Sequence, residues 1–202
     1  MNYTDIVKNV KIYGLTESFV ASGYPMKSTV GEMREVNVSD VKRATKLGKC
    51  ESTEGHDNFE LGIVVQFDLT FTNKAWVEAE RYHFFDIVSS QSTMHRITKF
   101  DLDNSYNKFV DPRIVEIMKE KVDRYNNQEL SPEEKKNLYL EILYSNPSGF
   151  KITARMTTNY RQLKNIYKQR KNHRLPEWKC FCEWIETLPY HEELITGGIH
   201  DV

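Results

Sequence analysis

Cysteine is scarce and unpaired in this chain: Cys50, Cys180 and Cys182 are an odd number, two of them in a C-x-C pair, in 202 residues. That pattern excludes a disulfide framework and fits no zinc knuckle, so the three are expected to be free thiols in a reducing compartment. Long apolar runs are absent too, and the opening MNYTDIVKNVKIYG has no apolar core of the kind a secretory leader carries. A soluble cytoplasmic protein is expected. Nor is there an excess of either charge: a net charge of -1 gives no overall basic field for nucleic acid. No internal repeat or low-complexity segment occurs.

The apolar content, 39%, is that of a globular chain, and 202 residues suit one domain spanning 1–202 with room for a helical insert. Val10 to Tyr13 reads as a short strand closed by Gly14, Thr16 to Ala21 as a brief helix, and Ser39 with Asp40 as the cap of a helix through Leu47. From 62 to 72 the chain alternates strictly, with Ile63, Val65, Phe67, Leu69 and Phe71 on one face, the period of a half-buried strand. Asn73 is read as the cap of a following helix that delivers Arg81, Tyr82 and His83 to a loop. That loop, 84–96, has neither helical nor strand period.

Asp111-Pro112 and Ser131-Pro132 each place a cap before a proline at the first helical position, and Ser131 with Glu134 makes a capping box. They predict a helical hairpin over 111–146. Pro176 opens a last helix with Trp178, Phe181, Trp184 and Ile185 on one side, and the tail 190–202 is expected to be loosely ordered. The elements sum to an α+β fold, a sheet packed with helices.

One stretch, 158–174 (TNYRQLKNIYKQRKNHR), carries most of the chemistry. Thr158 or Asn159 can cap a helix that meets no Gly or Pro before Pro176. At 3.6 residues per turn Asn159, Leu163, Ile166 and Arg170 share a stripe, while Arg161 and Asn165 stand four apart on another. Amide and guanidinium groups flanking an apolar stripe suit a helix that packs inward and also offers donors to an anion or heterocycle. A solvated charged face accounts for Arg161, Lys164, Asn165, Lys168 and Lys171 equally in a helix taken alone.

The set Asn159, Arg161, Leu163, Asn165, Ile166 and Arg170 resembles the C-terminal ligand-binding helix of the flavin-dependent thymidylate synthases in residue type and spacing. In that family a His precedes the long strand, and the next helix leads into a signature: Arg-His-Arg, two residues, Ser, one residue, Asn, two residues, Ser, one residue, Arg. Here His56 precedes the strand and Arg81-Tyr82-His83 stands where the triplet falls. Gln91-Ser92 resembles the closing Ser region but arrives one residue late. The likeness spans roughly Ile12 to Ile185.

Departures concentrate on the nucleotide side. Tyr82 and His83 replace His and Arg, Met94 stands where an Arg is expected, Leu143 takes the place of a second Arg, and Glu78 that of a Gln. Each charge-assisted contact to a phosphate is worth roughly 1.5–3 kcal/mol, so two lost arginines weaken nucleotide binding about a hundredfold or more unless replaced.

The resemblance implies a single-domain thymidylate synthase complementing protein fold with an antiparallel sheet. It implies FAD held by His56, Asn58, Arg81, Tyr82, His83, Asn159, Arg161 and Asn165. By the same resemblance dUMP meets Glu78, Ser90, Gln91, Ser92, Arg96 and Arg170, with Ser92 and Arg170 in the catalytic roles. Methylenetetrahydrofolate and NADPH are the implied co-substrates, a homotetramer the implied assembly, and no metal is implied. Two alternatives stand beside it. One is the same fold acting on or binding another pyrimidine nucleotide; the other is a strip of Lys164, Lys168, Arg170, Lys171, His173 and Arg174 with Tyr160 and Tyr167 that takes single-stranded nucleic acid.

Overall fold

The computed structural model describes residues 1–50 and 54–197. In chain order the helices and strands are α1 (Tyr3–Ile6), β1 (Val7–Tyr13), α2 (Leu15–Ala21), α3 (Val38–Gly48), β2 (Val64–Thr72), α4 (Asn73–Ala79), β3 (Asp86–Ser90) and α5 (Thr93–Arg96), followed by α6 (Pro112–Asn127), α7 (Pro132–Ser145), β4 (Lys151–Asn159), α8 (Tyr160–Arg170) and α9 (Pro176–Ile185). The strands make one antiparallel sheet in the order β1-β2-β4-β3.

Its centre is the pair β2–β4, in unbroken register from Val64↔Asn159 to Thr72↔Lys151. The alternation read in the sequence is borne out: Val65, Phe67, Leu69 and Phe71 have no exposed surface, and Ala154 and Met156 of β4 are buried beside them. Helix α9 covers this face with the residues expected, and ring centroids lie 4.5 Å apart for Phe67–Trp184 and 5.0 Å for Phe71–Trp178. Burying rings of this size supplies most of the driving force, and their tilted contacts fix the helix against the sheet.

A smaller apolar cluster lies under the α6–α7 hairpin, where Ile97, Met118, Leu138, Ile142 and Phe150 pack together. Ile152 of β4 touches both clusters, so the hairpin is tied to the sheet rather than appended to it. The Asp111 cap, the Ser131–Glu134 capping box and both N-terminal prolines stand as the sequence predicts.

Several boundaries differ from expectation. Thr158 belongs to β4, which the sequence reading passed over; Asn159 alone caps α8, and the helix stops at Arg170 rather than Arg174. The cap of α4 is Thr72, whose Oγ1 accepts the Ala75 N–H at 3.3 Å, and Asn73 is already helical. Asn37 caps α3, with Asp40 returning a hydrogen bond to the Asn37 N–H. The supposed loop 84–96 contains β3 and α5. Of the tail expected to be loose, 190–197 holds a π-helical turn, Glu192–Thr196, that buries Leu194 and Ile195, and 198–202 lie outside the described residues.

Candidate functional site

Helix α8 is the spine of the candidate site, and its two ends are built differently. At the N-terminal end Asn159 is mostly buried and accepts the Gln162 N–H on Oδ1 at 2.9 Å. That carboxamide oxygen is spent on satisfying the first turn of the helix. One turn on, Arg161 Nε and Lys164 Nζ each lie 3.1 Å from the carboxylate of Asp57, which has no exposed surface. Lys164 also donates to the Gly48 carbonyl oxygen at 2.6 Å. Two cations that a solvated face would turn outward are thus turned in on a buried acid.

Beside them Glu60 is fully buried, with Lys164 Nζ at 4.0 Å and no hydrogen bond to either carboxylate oxygen. Burial pushes its carboxyl up to about 8, with Lys164 opposing the shift. His56 and Asn58, flanking Asp57 on the segment against α8, are exposed, as is Asn165, whose Oδ1 accepts the Gln169 amide at 2.9 Å.

At the C-terminal end Arg170 donates from Nη1 to Glu78 Oε2 at 2.8 Å and from Nε to Tyr82 Oη at 2.7 Å. Its guanidinium lies over the rings of Tyr82 and Trp178, 5.4 and 4.8 Å from their centroids. Tyr82 in turn donates to Gln169 at 2.9 Å. The turn after α4 therefore docks on the last turn of α8, leaving Arg81 and His83 exposed; Arg81 donates from Nε to the Val77 carbonyl oxygen at 3.4 Å.

The remaining expected residues sit on the edge strand β3 and beyond. Gln91 binds Thr153 twice, through its N–H at 3.0 Å and its side-chain oxygen at 2.9 Å, so it extends the sheet by one residue. Ser90 and Gln91 line a cleft of about 250 Å³ with Trp76, Val77, Ile87 and Ala154. Ser92 and Arg96 line a larger one of about 480 Å³ with Gln91, Lys99, Phe100 and the carboxylate-bearing Asp101. Lys99 and Phe100 were not anticipated, because nothing in the sequence says that the chain turns back after α5. Two cations and a ring beside one carboxylate, in a volume typical of ligand sites, leave one net positive charge for an anionic group joined to a flat heterocycle.

The expected residues thus form three groups. His56, Asn58, Asn159, Arg161 and Asn165 gather at one end of α8; Glu78, Arg81, Tyr82 and Arg170 gather at the other; Ser90, Gln91, Ser92 and Arg96 follow the sheet edge. Neither cleft is lined by a residue of α8. The proposed nucleic-acid strip does not exist as an exposed aromatic surface, since Tyr160 is fully buried and Lys164 and Arg170 are paired with acids.

The chain has the fold of the flavin-dependent thymidylate synthases. Two solved structures of that enzyme from Helicobacter pylori, both with FAD and dUMP, superpose over nearly their whole length. One has a TM-score of 0.74 at 13% identity, covering 96% of this chain and 100% of that one; the other has 0.72 at 15% identity, covering 97% and 99%. No protein-family model matches the sequence, and no curated protein is similar to it in sequence. Among the described residues, no helix is long and apolar enough to cross a membrane.

Proposed function

We propose that this chain is a flavin-dependent enzyme of the thymidylate synthase type, which reductively methylates dUMP to dTMP with methylenetetrahydrofolate and NADPH. The observation that carries it is the agreement of fold along nearly the whole chain with an enzyme solved in complex with FAD and dUMP; the flavin-side resemblance of Asn159, Arg161 and Asn165 supports it, while the nucleotide-side signature departs from the family's. The donor set fits a flavin dinucleotide in part. His56, Asn58, Arg81 and Asn165 are exposed and carry N–H groups suited to a pyrophosphate or an adenine, while Asn159 and Arg161 are committed to the cap and to Asp57.

Bound there, FAD would supply the reducing chemistry, which no side chain can. The chain's own contribution is orientation: Ser92 and Arg96 would hold the nucleotide in the larger cleft, and Arg81 would bridge flavin and substrate. His56, Asn58 and Asn165 form an open surface, so a flavin resting on it would be shielded from water only by a second subunit. A homotetramer sharing its sites among subunits meets that need.

The Glu78–Arg170 pair favours an alternative, the same fold taking another pyrimidine nucleotide without methylating it, because a positive group expected to face the substrate is already neutralised. Thermal shift separates them. FAD and dUMP should each raise the melting temperature, and Arg81→Ala should abolish the FAD shift while leaving the unliganded melt within a degree or so of wild type, as for an exposed surface change. A shift with a pyrimidine nucleotide other than dUMP, and none with FAD, supports the alternative, and the absence of a shift with FAD and with every pyrimidine nucleotide contradicts both.

A further inference from the structure

Most of the larger cleft's lining lies on residues 91–101, a stretch whose own regular structure is α5 and a single 3-10 turn, Ile97–Lys99. What fixes that wall is the α6–α7 hairpin. Tyr139 Oη donates to the Met94 carbonyl oxygen at 2.8 Å, Asn126 Nδ2 donates to the Thr98 carbonyl oxygen at 3.0 Å, and Ile97 is fully buried in the hairpin's apolar cluster. Asn126 makes a second bond: its Oδ1 accepts Lys99 Nζ at 3.3 Å. The cations of α8 are held otherwise, Arg161 and Lys164 on Asp57 and Arg170 on Glu78, so their charges are cancelled inside the fold. A carboxamide oxygen fixes an ammonium without cancelling its charge. Lys99 is exposed, so an anion entering the cleft can reach it. The one acid of the lining, Asp101, accepts the Asp103 N–H at 3.1 Å and the Asn104 amide at 2.7 Å, donors of its own turn.

We infer that Lys99 is a ligand-binding residue of the larger cleft, which receives an anionic group beside Arg96, and that Asn126, in the last turn of α6, is its positioning residue. This rests on the nucleotide-binding function proposed above and names the part of the nucleotide concerned: a phosphate monoester, which carries about −1.5 to −2 charges at pH 7 and can accept from both cations at once. It also gives the helical hairpin a part in the site, since the ammonium is held by a residue 27 positions further along the chain. A charge-assisted contact to the phosphate corresponds to roughly ten- to a hundredfold in affinity, and a hydrogen bond that only steadies the ammonium to roughly three- to tenfold.

The test is calorimetric titration of dUMP and of deoxyuridine into wild type, Lys99→Met, Asn126→Ala, Arg96→Ala and the double variant Lys99→Met/Asn126→Ala at low and high salt, with a thermal melt of each. Lys99→Met should bind dUMP roughly ten- to a hundredfold more weakly, bind deoxyuridine as wild type does, and show a shallower salt dependence. Asn126→Ala should lose roughly three- to tenfold for dUMP alone, and that loss should vanish in the Lys99→Met background, as a merely structural role for Asn126 would not allow. Wild-type dUMP affinity in Lys99→Met, with affinity still lost in Arg96→Ala, would overturn the role of Lys99 and leave nucleotide binding standing. An equal loss for deoxyuridine would overturn charge as what Lys99 contributes. A loss in Asn126→Ala that persists in the double variant would overturn the positioning role. If wild type takes another pyrimidine monophosphate in place of dUMP, that nucleotide and its nucleoside are titrated instead; if it takes none, the proposed function and this assignment fall together. Should Asn126→Ala melt below the assay temperature, Asn126→Ser, a shorter polar side chain, should show a smaller dUMP-specific loss, and no loss would count against the inference.

Discussion

Glu60 shows at the scale of one residue what burial does to a charge. It has no exposed surface, its carboxylate oxygens have no hydrogen-bond partner among the described residues, and Lys164 Nζ, 4.0 Å away, is already engaged with Asp57. The folded protein keeps a proton on it until about pH 8, whereas the unfolded chain releases that proton near the ordinary carboxyl value of 4.5. Between those values folding takes up a proton, so this residue's contribution makes the protein less stable as pH rises through the window, and the effect levels off outside it. The slope is at most about 1.4 kcal/mol per pH unit. Denaturant titrations of Glu60→Gln across the window should lack this slope and show a more stable protein than wild type on the alkaline side; a variant with the wild-type slope would show that Glu60 is ionised throughout. The neighbouring Lys164 makes the opposite case. Lys164→Met strips a cation from the buried Asp57 and should cost about 3 kcal/mol, and a loss under about 1 kcal/mol would mean that Arg161 alone holds that acid.

Among the elements, the join of β1 to α2 depends on one backbone conformation. Gly14 has φ +73°, and a Cβ there would lie 2.2 Å from the Gly62 carbonyl oxygen, where β2 is about to begin. Gly14→Ala should therefore destabilise by about 1–3 kcal/mol in urea; a change under half of that would show that the two segments separate freely. Strand β2 was legible because its period of two is written in Val, Phe and Leu. Strand β4 was not: its buried positions, Ala154, Met156, Thr158 and Asn159, mix small and polar residues and lead directly into a helix. Strand β3 could not be, since all five of its residues are exposed and no alternation of burial marks it. The caps at Asp111 and Ser131 were read correctly because capping is local chemistry.

For the molecule as a whole, residue types at the candidate site were legible and their partners were not. Glu78 meets Arg170 across 92 positions and Asp57 meets Lys164 across 107, separations over which spacing carries no information. The sequence could therefore name Arg170 as a cation near a ligand but not that an acid of the same chain already holds it. Under the proposed function, an open surface at His56, Asn58 and Asn165 would need a second copy to cover a bound flavin. Size-exclusion chromatography with light scattering should find an oligomer, four copies by the family resemblance, and a strict monomer that nonetheless binds FAD would contradict a shared site. The most direct measurement is the absorbance spectrum of the purified protein after incubation with FAD and exhaustive dialysis. A flavin-dependent enzyme retains the yellow flavin bands in proportion to its sites. A colourless protein with no retained flavin would contradict the account at its centre.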